Sequence, residues 1–214
     1  MTLRLHNFFR SSTSTRLRAA LNVKGLEYDY IAYVLRDGET RTPSYLSRNP
    51  QGLVPTLELE DGTNLTQSLA IIEYLEEICP APTLLPTDPL GRARVRALSY
   101  LIACEIHPLN NLRVLFRLRD QFDADETAQK DWFTHWVETT FDALEAALQS
   151  PETGRFCHGN TPGLADVCLY AQVWNNKRFG IPLEKWPTIA RIFAELHGMP
   201  EFANAAPPNQ PDAA

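Results

Sequence analysis

The sequence predicts a small α/β domain followed by an all-helical domain, and three observations support this division. Strand and helix patterns alternate through the first eighty residues, where the hairpin sequence TLELEDGTNLTQS also lies. A proline-rich stretch, CPAPTLLPTDPLG, comes next, and only helical patterns follow it. We therefore expect a first domain at residues 1–82, a linker at 83–91, a helical domain at 92–206 and a disordered tail at 207–214.

The first domain begins with a strand, a helix and a second strand. The residues LRLHNF predict a strand over 3–8, and apolar residues at helical spacing predict a helix over 13–24. Gly25 is the kind of residue that ends a helix in the left-handed conformation. Aromatic and β-branched residues predict the second strand over 28–35, and a short helix is expected at 43–48.

The hairpin is the clearest local signal of the first domain. Leucines alternate with glutamates before Asp61-Gly62, a dipeptide typical of a two-residue type I′ turn. A helix is predicted over 68–78, with Ser68 as its N-cap. The resulting order is βαβ, a helix, a β-hairpin and a final helix, which is the order of the thioredoxin-like fold.

Four helical patterns make up the second domain. They cover residues 92–119, 125–149, 163–176 and 187–197. Pro108 interrupts the first pattern, and because proline removes a backbone hydrogen bond, we expect a kink there. The kink should turn His107, Asn110 and Asn111 toward a cleft between the domains. In the third helix, Asp166 is expected to be a capping residue rather than a reactive one.

Composition and charge argue against several classes of function. The net charge of −6 and the isoelectric point near 5.4 are unlike the basic surface that nucleic-acid binding requires. We find neither the apolar region of a signal peptide nor a run long enough to span a membrane, and we expect a cytoplasmic protein. The four cysteines show no zinc-binding spacing, so we expect reduced cysteines and no metal site.

Three segments, spread over most of the chain, resemble the soluble glutathione transferases: LVP at 53–55, QS at 67–68 and GNTPGLADVCL at 159–169. Residues 11–28, SSTSTRLRAALNVKGLEY, give a more specific match, to the serine-rich signature of the zeta class of that family. QSLAIIEYLEE at 67–77 and AQVWNNKRF at 171–179 also resemble that class. The class usually has cysteine where this sequence has Thr13, and the family has a capping serine or threonine where this sequence has Gly163.

The resemblance implies a thioredoxin-like domain followed by the helical domain of a glutathione transferase, in a homodimer. It also implies a glutathione-dependent cis–trans isomerase of a maleyl diacid, maleylpyruvate or maleylacetoacetate, in aromatic-compound catabolism. Glutathione would be a regenerated cofactor, because its thiolate adds to the double bond and leaves after the bond has rotated. Thr13 and the HPLNN segment favour maleylpyruvate, with maleylacetoacetate as the alternative.

Two other functions are alternatives to the isomerase. A detoxifying transferase would conjugate glutathione to haloacids or other electrophiles, and it would consume glutathione in each reaction. A binding module with the glutathione transferase fold would have no chemistry of its own. The presence together of Ser11, Pro55, Gln67, Ser68 and Arg178 argues against the binding module.

The resemblance assigns glutathione contacts to both domains. Backbone N–H groups at a helix start favour an anion, so Ser11 is expected to donate a hydrogen bond to the thiolate, with Ser12 and Thr13 beside it. The Val54 backbone, fixed by Pro55, is expected to bind the cysteinyl amide. Gln67 and Ser68 are expected to bind the γ-glutamyl carboxylate. Further glutathione contacts are expected from His107, Asn110 and Asn111. A simple helix cap and an ordinary turn are the alternative explanations for the serine cluster and for LVP.

Arginines are expected to bind the carboxylates of the dicarboxylic substrate, because a guanidinium group can form two parallel hydrogen bonds to a carboxylate. The candidates are Arg10, Arg113 and Arg178, of which Arg113 is equally explained as a solvated surface residue. We expect Ser11, Arg10 and Thr13 to form the catalytic centre. Thr13 in place of cysteine indicates that the protein needs no sulfur nucleophile of its own.

Overall fold

A computed structural model describes residues 2–213 of the chain, which divides into two compact units. The first unit consists of Met1–Leu84 together with Gly198–Ala214, and the second is Leu85–His197. The first unit holds the predicted α/β elements, and the regular elements of the second are helical. The predicted fold class is therefore confirmed.

Four strands form one mixed sheet in the described part of the first unit. They are β1 (Leu3–Asn7), β2 (Tyr28–Ala32), β3 (Thr56–Glu58) and β4 (Asn64–Thr66). In the order β2-β1-β3-β4, β1 is parallel to β2, and β3 runs antiparallel to both β1 and β4. The strand predicted over 28–35 ends early at Ala32, because the chain turns into a 3-10 helix at Leu35–Asp37.

Three helices in the N-terminal part of the first unit follow the predicted order. They are α1 (Ser12–Val23), α2 (Pro43–Leu46) and α3 (Ser68–Ile78). α1 ends before Gly25, whose φ of 65° places it in the left-handed region that glycine tolerates. α1 packs against α3. Leu17 and Leu21 of α1, Leu5 of β1 and Leu57 of β3 are all buried.

The hairpin turn differs from the predicted type I′ turn. A type I′ turn needs a positive φ at both central residues, but of Asp61 and Gly62 only the glycine has one, at 85°. Leu59 N donates to Thr63 O over 2.8 Å, which closes a three-residue loop ending in the left-handed glycine. The Asp61 carboxylate accepts a hydrogen bond from Thr63 N over 2.9 Å, a local bond that favours aspartate in turns.

The second unit is built from five α-helices in its described residues. They are α4 (Pro89–Tyr100), α5 (Leu112–Phe122), α6 (Glu126–Ala147), α7 (Leu164–Arg178) and α8 (Pro187–His197). α4 starts inside the predicted linker, because Asp88 caps it by accepting a hydrogen bond from Gly91 N over 2.7 Å. Buried aromatic residues of α6 and α7, among them Phe133, Phe141 and Tyr170, fill the core of this unit.

The predicted interruption at Pro108 is present and is larger than a kink. After α4 the chain forms a π-helical segment, Leu101–Ile106, in which His107 N donates to Ile102 O five residues back. A turn then precedes α5. The single helix predicted over 92–119 is therefore two α-helices separated by a π-helical segment and a turn.

Asp166 caps α7, as predicted. Its carboxylate accepts hydrogen bonds from Gly163 N (2.8 Å) and Cys157 N (2.9 Å), which compensates for the side-chain cap that Gly163 lacks. Burial raises the pKa of this carboxyl to about 6, although the two hydrogen bonds act in the opposite direction. The bonds fix the start of α7 to the preceding loop.

The C-terminal segment corrects the predicted domain boundaries, because it belongs to the first unit. It forms α9 (Pro200–Ala203), which packs against α1, and a 3-10 turn at Pro207–Asn209. Gln210 is buried and donates to two backbone carbonyls. The helical domain predicted to reach residue 206 and the disordered tail predicted at 207–214 are therefore wrong for the described residues, and Ala214 lies outside them.

The cysteines are all unpaired. Cys157 and Cys168 are buried, while Cys79 and Cys104 are more accessible. Across residues 2–213, no three His, Cys, Asp or Glu side chains are grouped as the ligands of a metal would be. Over the same range we find no helix that combines the length and the apolar character needed to cross a membrane.

Candidate functional site

Ser11 is the N-cap of α1. Its backbone is extended, with φ −66° and ψ 120°, and its Oγ accepts a hydrogen bond from Ser14 N over 3.2 Å. Ser12 and Thr13 are the first two helical residues, and the first turn of α1, all of it described, contains no acidic residue. The remaining N–H groups of this turn carry the positive end of the helix dipole. The Ser11 loop (residues 8–13) is therefore both a helix cap and a suitable place for an anion.

A chain of hydroxyl groups connects Ser11 to the proline segment before β3. Thr13 Oγ1 donates to the carbonyl oxygen of Val54 over 3.0 Å, and Ser11 Oγ lies 2.8 Å from Thr13 Oγ1. Because a threonine hydroxyl has a single hydrogen, the bond to Val54 makes Ser11 the donor to Thr13. Rotation of the Ser11 hydroxyl would turn this hydrogen toward an anion at the helix start. Thr13 is thus placed to orient Ser11.

The Val54–Pro55 peptide bond is cis. The carbonyl oxygen of Val54 uses one acceptor position for Thr13 and keeps a second one. The N–H of Val54 has no acceptor among the described residues. An extended peptide can therefore pair with both backbone groups of Val54 in the manner of an added strand.

Gln67, directly before α3, has a backbone conformation that residues with side chains rarely adopt. Its φ is 68° and its ψ is 106°. Such backbone strain is concentrated at functional sites, so Gln67 is a candidate ligand contact. Its exposed side chain donates from Nε2 to Gln51 Oε1 over 2.8 Å. Gln67 lies beside the backbone N–H groups at the start of α3, and these groups favour a carboxylate.

Ser68 is the first residue of α3 and not its N-cap, which corrects the sequence prediction. The cap position is Gln67, whose side chain makes no capping hydrogen bond. The Ser68 hydroxyl instead accepts a hydrogen bond from Arg16 Nη1 over 3.0 Å, and both side chains are buried. Arg16 was not predicted as a site residue, because a helical pattern does not distinguish a buried arginine from an exposed one.

A second buried arginine, Arg18, holds the Ser11 loop. It donates to the carbonyl oxygens of Phe9 (2.9 Å) and Ala205 (3.0 Å) and to Asn7 Oδ1 (2.8 Å). Burial lowers the pKa of Arg18 to about 10, so it stays protonated at neutral pH. Arg18 lies in the matched segment 11–28, but no role was predicted for it, because three of its acceptors are backbone carbonyls and one of them, Ala205 O, lies far along the chain.

Asp212 connects the C-terminal segment to the same loop. Its Oδ2 accepts a hydrogen bond from Phe9 N over 3.1 Å, and its Oδ1 accepts one from the Tyr30 hydroxyl over 2.5 Å. Asp212 lies in the segment predicted to be disordered, so this contact was not predicted from the sequence either. The backbone two residues before Ser11 is therefore held from the C-terminus of the chain.

Arg10 is exposed and stands next to Ser11. Its guanidinium carbon is 5.0 Å from the centre of the Phe9 ring and 5.7 Å from that of Phe8. Within residues 2–213, no carboxylate lies at ion-pair distance from it. The two rings orient the guanidinium group and leave its charge uncompensated, as binding of an anionic ligand requires.

The predicted glutathione contacts of the second unit have structural roles there. Asn110 is buried, and its Nδ2 donates to Phe133 O over 3.0 Å. Asn111 is the N-cap of α5, where its Oδ1 accepts from Arg113 N over 3.1 Å. His107 Nε2 lies 3.5 Å from Asn111 Nδ2. The expected direction of these side chains toward a cleft stays a prediction.

The two candidate site arginines of the second unit, Arg113 and Arg178, are exposed. Arg113 lies in the first turn of α5, and Arg178 is the last residue of α7. The guanidinium carbon of Arg178 is 5.2 Å from the centre of the Phe179 ring. A cation in the last turn of a helix is also favoured by the helix dipole, so the position of Arg178 has a structural explanation beside the functional one.

The fold and the loop geometry together define a glutathione transferase, and comparison with known proteins agrees. The family model for the N-terminal domain of glutathione S-transferases matches residues 10–78, which include most of the Ser11 loop, the cis-proline segment and α3. The maleylpyruvate isomerase of a Ralstonia species is 46% identical over 213 residues, covering 99% of this chain and 100% of its own. The maleylacetoacetate isomerase of Pseudomonas aeruginosa is 45% identical over 212 residues, covering 98% of each chain.

Solved structures identify the class. A bacterial maleylpyruvate isomerase described as a zeta-class glutathione S-transferase has a TM-score of 0.96 at 47% identity, covering 99% of this chain and 100% of its own. This chain belongs to the zeta class of the glutathione transferases.

Two other solved relatives contain ligands. Maleylacetoacetate isomerase from Methylobacterium extorquens AM1 holds malonate and glutathione; it is 37% identical, with a TM-score of 0.95 and 99% coverage of both chains. The maleylacetoacetate isomerase of Anaeromyxobacter dehalogenans 2CP-1 holds dicarboxyethyl glutathione and citrate; it is 41% identical, with a TM-score of 0.89, covering 100% of this chain and 98% of its own. Both proteins thus bind glutathione or its adduct together with a small carboxylic acid.

Proposed function

We propose that this protein is a glutathione-dependent cis–trans isomerase of a maleyl diacid, maleylpyruvate or maleylacetoacetate, with glutathione as a regenerated cofactor. One observation carries the proposal: two residues of α1 connect the Ser11 loop to the two other parts of the expected glutathione site. Thr13 binds the carbonyl of Val54, and Arg16 binds the hydroxyl of Ser68. The full-length relatives in the same class are named as isomerases of these two diacids.

The residues present fit glutathione. The free N–H and the second acceptor position of Val54 match the cysteinyl amide of the cofactor. The start of α3, at Gln67 and Ser68, suits the γ-glutamyl carboxylate, and the start of α1 suits a thiolate. The positive ends of α1 and α3 are therefore complementary to two anionic groups of glutathione, the thiolate and the γ-glutamyl carboxylate.

When bound, glutathione supplies a thiolate that adds reversibly to the cis double bond of the diacid, so that the bond rotates before the thiolate leaves. Ser11 is the proposed hydrogen-bond donor to the thiolate, and with the helix dipole of α1 it lowers the pKa of the thiol. The Ser11 hydroxyl, which donates to Thr13 Oγ1 in the structure, would turn its single hydrogen to the thiolate. With threonine at position 13, the Ser11 loop offers no thiol of its own. Ser12, in the same turn, is proposed as a further cofactor contact.

Arg10 is the proposed ligand of a substrate carboxylate. It is exposed, its guanidinium group is oriented by Phe8 and Phe9, and it has no carboxylate partner among the described residues. A guanidinium group on the carboxylate would also stabilise negative charge that develops beside the reacting double bond. Arg113 and Arg178 are proposed as further carboxylate ligands on the resemblance to the zeta class.

The remaining assignments also rest on the resemblance. His107 and Asn111 are proposed glutathione contacts, and Asn110 is the least suited of the three because its amide nitrogen already binds Phe133 O. We further propose that the protein is a cytoplasmic homodimer that acts in the breakdown of aromatic compounds. Gel filtration with light scattering tests the dimer, for which a monomer at micromolar concentration is the contrary result.

The test of the proposed function follows the absorbance of maleylpyruvate and of maleylacetoacetate with the protein, in the presence and absence of glutathione. We expect at least one diacid to be converted to its fumaryl isomer, and only when glutathione is present. The ratio of the two kcat/KM values then identifies the preferred substrate. If both diacids persist with protein and glutathione present, the proposed function is wrong.

A further inference from the structure

Arg16 is a buried cation without a carboxylate partner. It lies in the second turn of α1, and 2% of its surface is exposed. Its Nη1 donates to Ser68 Oγ over 3.0 Å, whereas its buried Nε has no hydrogen-bond partner. Throughout residues 2–213, no Asp or Glu side chain lies at ion-pair distance from Arg16. Most of the donors of this guanidinium group are therefore unused by the chain.

The neighbouring Arg18 is also a buried arginine, but its donors have acceptors within the chain. Its donors reach the carbonyl oxygens of Phe9 and Ala205, Asn7 Oδ1 and the hydroxyl of Thr15. A buried charge that lacks both a counter-ion and a full set of hydrogen bonds is strongly unfavourable, because nothing replaces its lost hydration. The contrast indicates that a group from outside the chain completes the surroundings of Arg16.

Ser68 gives an independent indication of the same ligand. The residue is buried, with 5% of its surface exposed, and its oxygen accepts the bond from Arg16. The hydrogen of its hydroxyl has no acceptor among the described residues. Since Arg16 occupies an acceptor position of this oxygen and polarises the group, the O–H is directed away from Arg16 and is a stronger donor. A buried donor at the start of α3 without an acceptor in the chain is suited to an acceptor from a ligand.

We propose that Arg16 is a positioning residue for the γ-glutamyl α-carboxylate of glutathione. It holds the Ser68 hydroxyl with its hydrogen toward that carboxylate, and its charge balances the charge of the carboxylate. The inference rests on the proposed use of glutathione. It means that α1 serves two groups of the cofactor, the cysteinyl thiolate through its N-terminus and the γ-glutamyl carboxylate through Arg16.

The experiment measures binding rather than activity. Isothermal titration compares glutathione with 4-aminobutyryl-cysteinylglycine, which lacks only the γ-glutamyl α-carboxylate. The proteins are the wild type, Arg16→Gln, Arg16→Lys and the surface control Arg36→Gln, each first checked for folding by circular dichroism. Arg16→Gln removes the charge, whereas Arg16→Lys keeps it but shortens the reach to Ser68.

We expect the wild type and Arg36→Gln to prefer glutathione over the analogue by about 100-fold. Arg16→Gln should reduce that preference by about tenfold or more, chiefly through weaker binding of glutathione. Arg16→Lys should fall between the two. A purely structural role for Arg16 would weaken both thiols equally and leave the preference unchanged.

The results that would overturn the inference on Arg16 differ from the result that would overturn the proposed function. Equal binding of the two thiols by the wild type overturns the inference, and so does an Arg16→Gln protein with the wild-type preference. If Arg16→Gln does not fold, an Arg16→Lys protein with the full wild-type preference overturns it instead, because the contact with Ser68 would then be dispensable. Failure of the wild type to bind glutathione at all would instead overturn the proposed function.

Discussion

The hydroxyl of Thr13 donates a hydrogen bond to the carbonyl oxygen of Val54 over 3.0 Å, and this bond ties the first turn of α1 to the cis-proline segment. Ser11 Oγ lies 2.8 Å from Thr13 Oγ1 and donates to it. One side chain therefore links the proposed thiolate donor to the backbone that is proposed to bind the cysteinyl amide. Changes at position 13 should affect both cofactor binding and local stability.

Replacing Thr13 by valine removes the hydroxyl at nearly constant volume. The Val54 carbonyl loses the donor that fixes the cis-proline segment, so we expect glutathione to bind about three- to tenfold more weakly. The Ser11 hydroxyl also loses its acceptor in the structure, and the free energy of unfolding should fall by about 1 kcal/mol. Calorimetric titration and urea denaturation measure the two quantities. Thr13→Ser is the matched control, since it restores the hydroxyl. Wild-type values for Thr13→Val in both measurements would show that the bond has no such role.

Ser11→Ala should raise the pKa of the bound thiol. The loss of one hydrogen bond to an anion corresponds to a rise of about one to two pKa units. Titration of the thiolate absorbance of enzyme-bound glutathione gives this value directly. Ser11→Thr keeps a hydroxyl and a helix cap and should stay near the wild type. An unchanged thiolate titration in Ser11→Ala would remove Ser11 from the proposed role, whatever the effect on stability.

Asp212→Ala should destabilise the first unit by about 2 kcal/mol, because it leaves Phe9 N and the Tyr30 hydroxyl without their acceptor. Tyr30→Phe removes one of these bonds. The double variant should be less destabilised than the sum of the single variants, since both lose the same interaction. Urea denaturation of the four proteins checks this, with the exposed Asp37→Ala as control. Strict additivity, or a neutral Asp212→Ala, would contradict the contact.

Asp166 should make stability depend on pH. Burial raises the pKa of its carboxyl from 3.8 to about 6 in the folded state, so the folded state binds this proton more tightly than the unfolded state. The contribution of Asp166 to stability is then fully present below about pH 4 and is lost as the pH rises through about 6.

The pH dependence is tested by comparing the free energy of unfolding of the wild type with that of Asp166→Asn. The free energy of unfolding of the wild type, relative to Asp166→Asn, should increase by up to about 3 kcal/mol between about pH 7 and about pH 4. Denaturation with urea at several pH values gives the curve for each protein, and the exposed Asp37→Asn serves as control. A difference that stays constant or becomes smaller on acidification would contradict the raised pKa.

Local patterns predicted most of the fold because the features that set it are local. Periodicity, capping residues and the hairpin sequence were enough for the sheet, for α1 and α3, and for most of the helices of the second unit. The turn at Gly62 was missed although its bonds are local, because an Asp-Gly dipeptide fits more than one kind of hairpin loop. The C-terminal segment was missed because a tertiary contact fixes it: Asp212 binds Phe9 and Tyr30, which lie far away along the sequence.

The residues of the candidate site were also predicted only in part from the sequence. Motif matching located Ser11, Pro55, Gln67 and Ser68, because each occupies a fixed place relative to a strand or a helix. Arg16 lies in the matched segment 11–28 but was given no role, because the role proposed for it depends on burial and on a partner 52 positions away in the sequence. Motif matching also placed Ser68 at the N-cap, a position occupied by Gln67 with a strained backbone.

The proposed mechanism requires that glutathione is a cofactor and is regenerated in every cycle. The decisive experiment supplies glutathione at a small fraction of the diacid concentration and follows the diacid and the free thiol together during turnover. We expect complete conversion of the diacid to the fumaryl isomer with no loss of free thiol. Loss of one thiol for each molecule of product would contradict the mechanism and would identify a conjugating transferase.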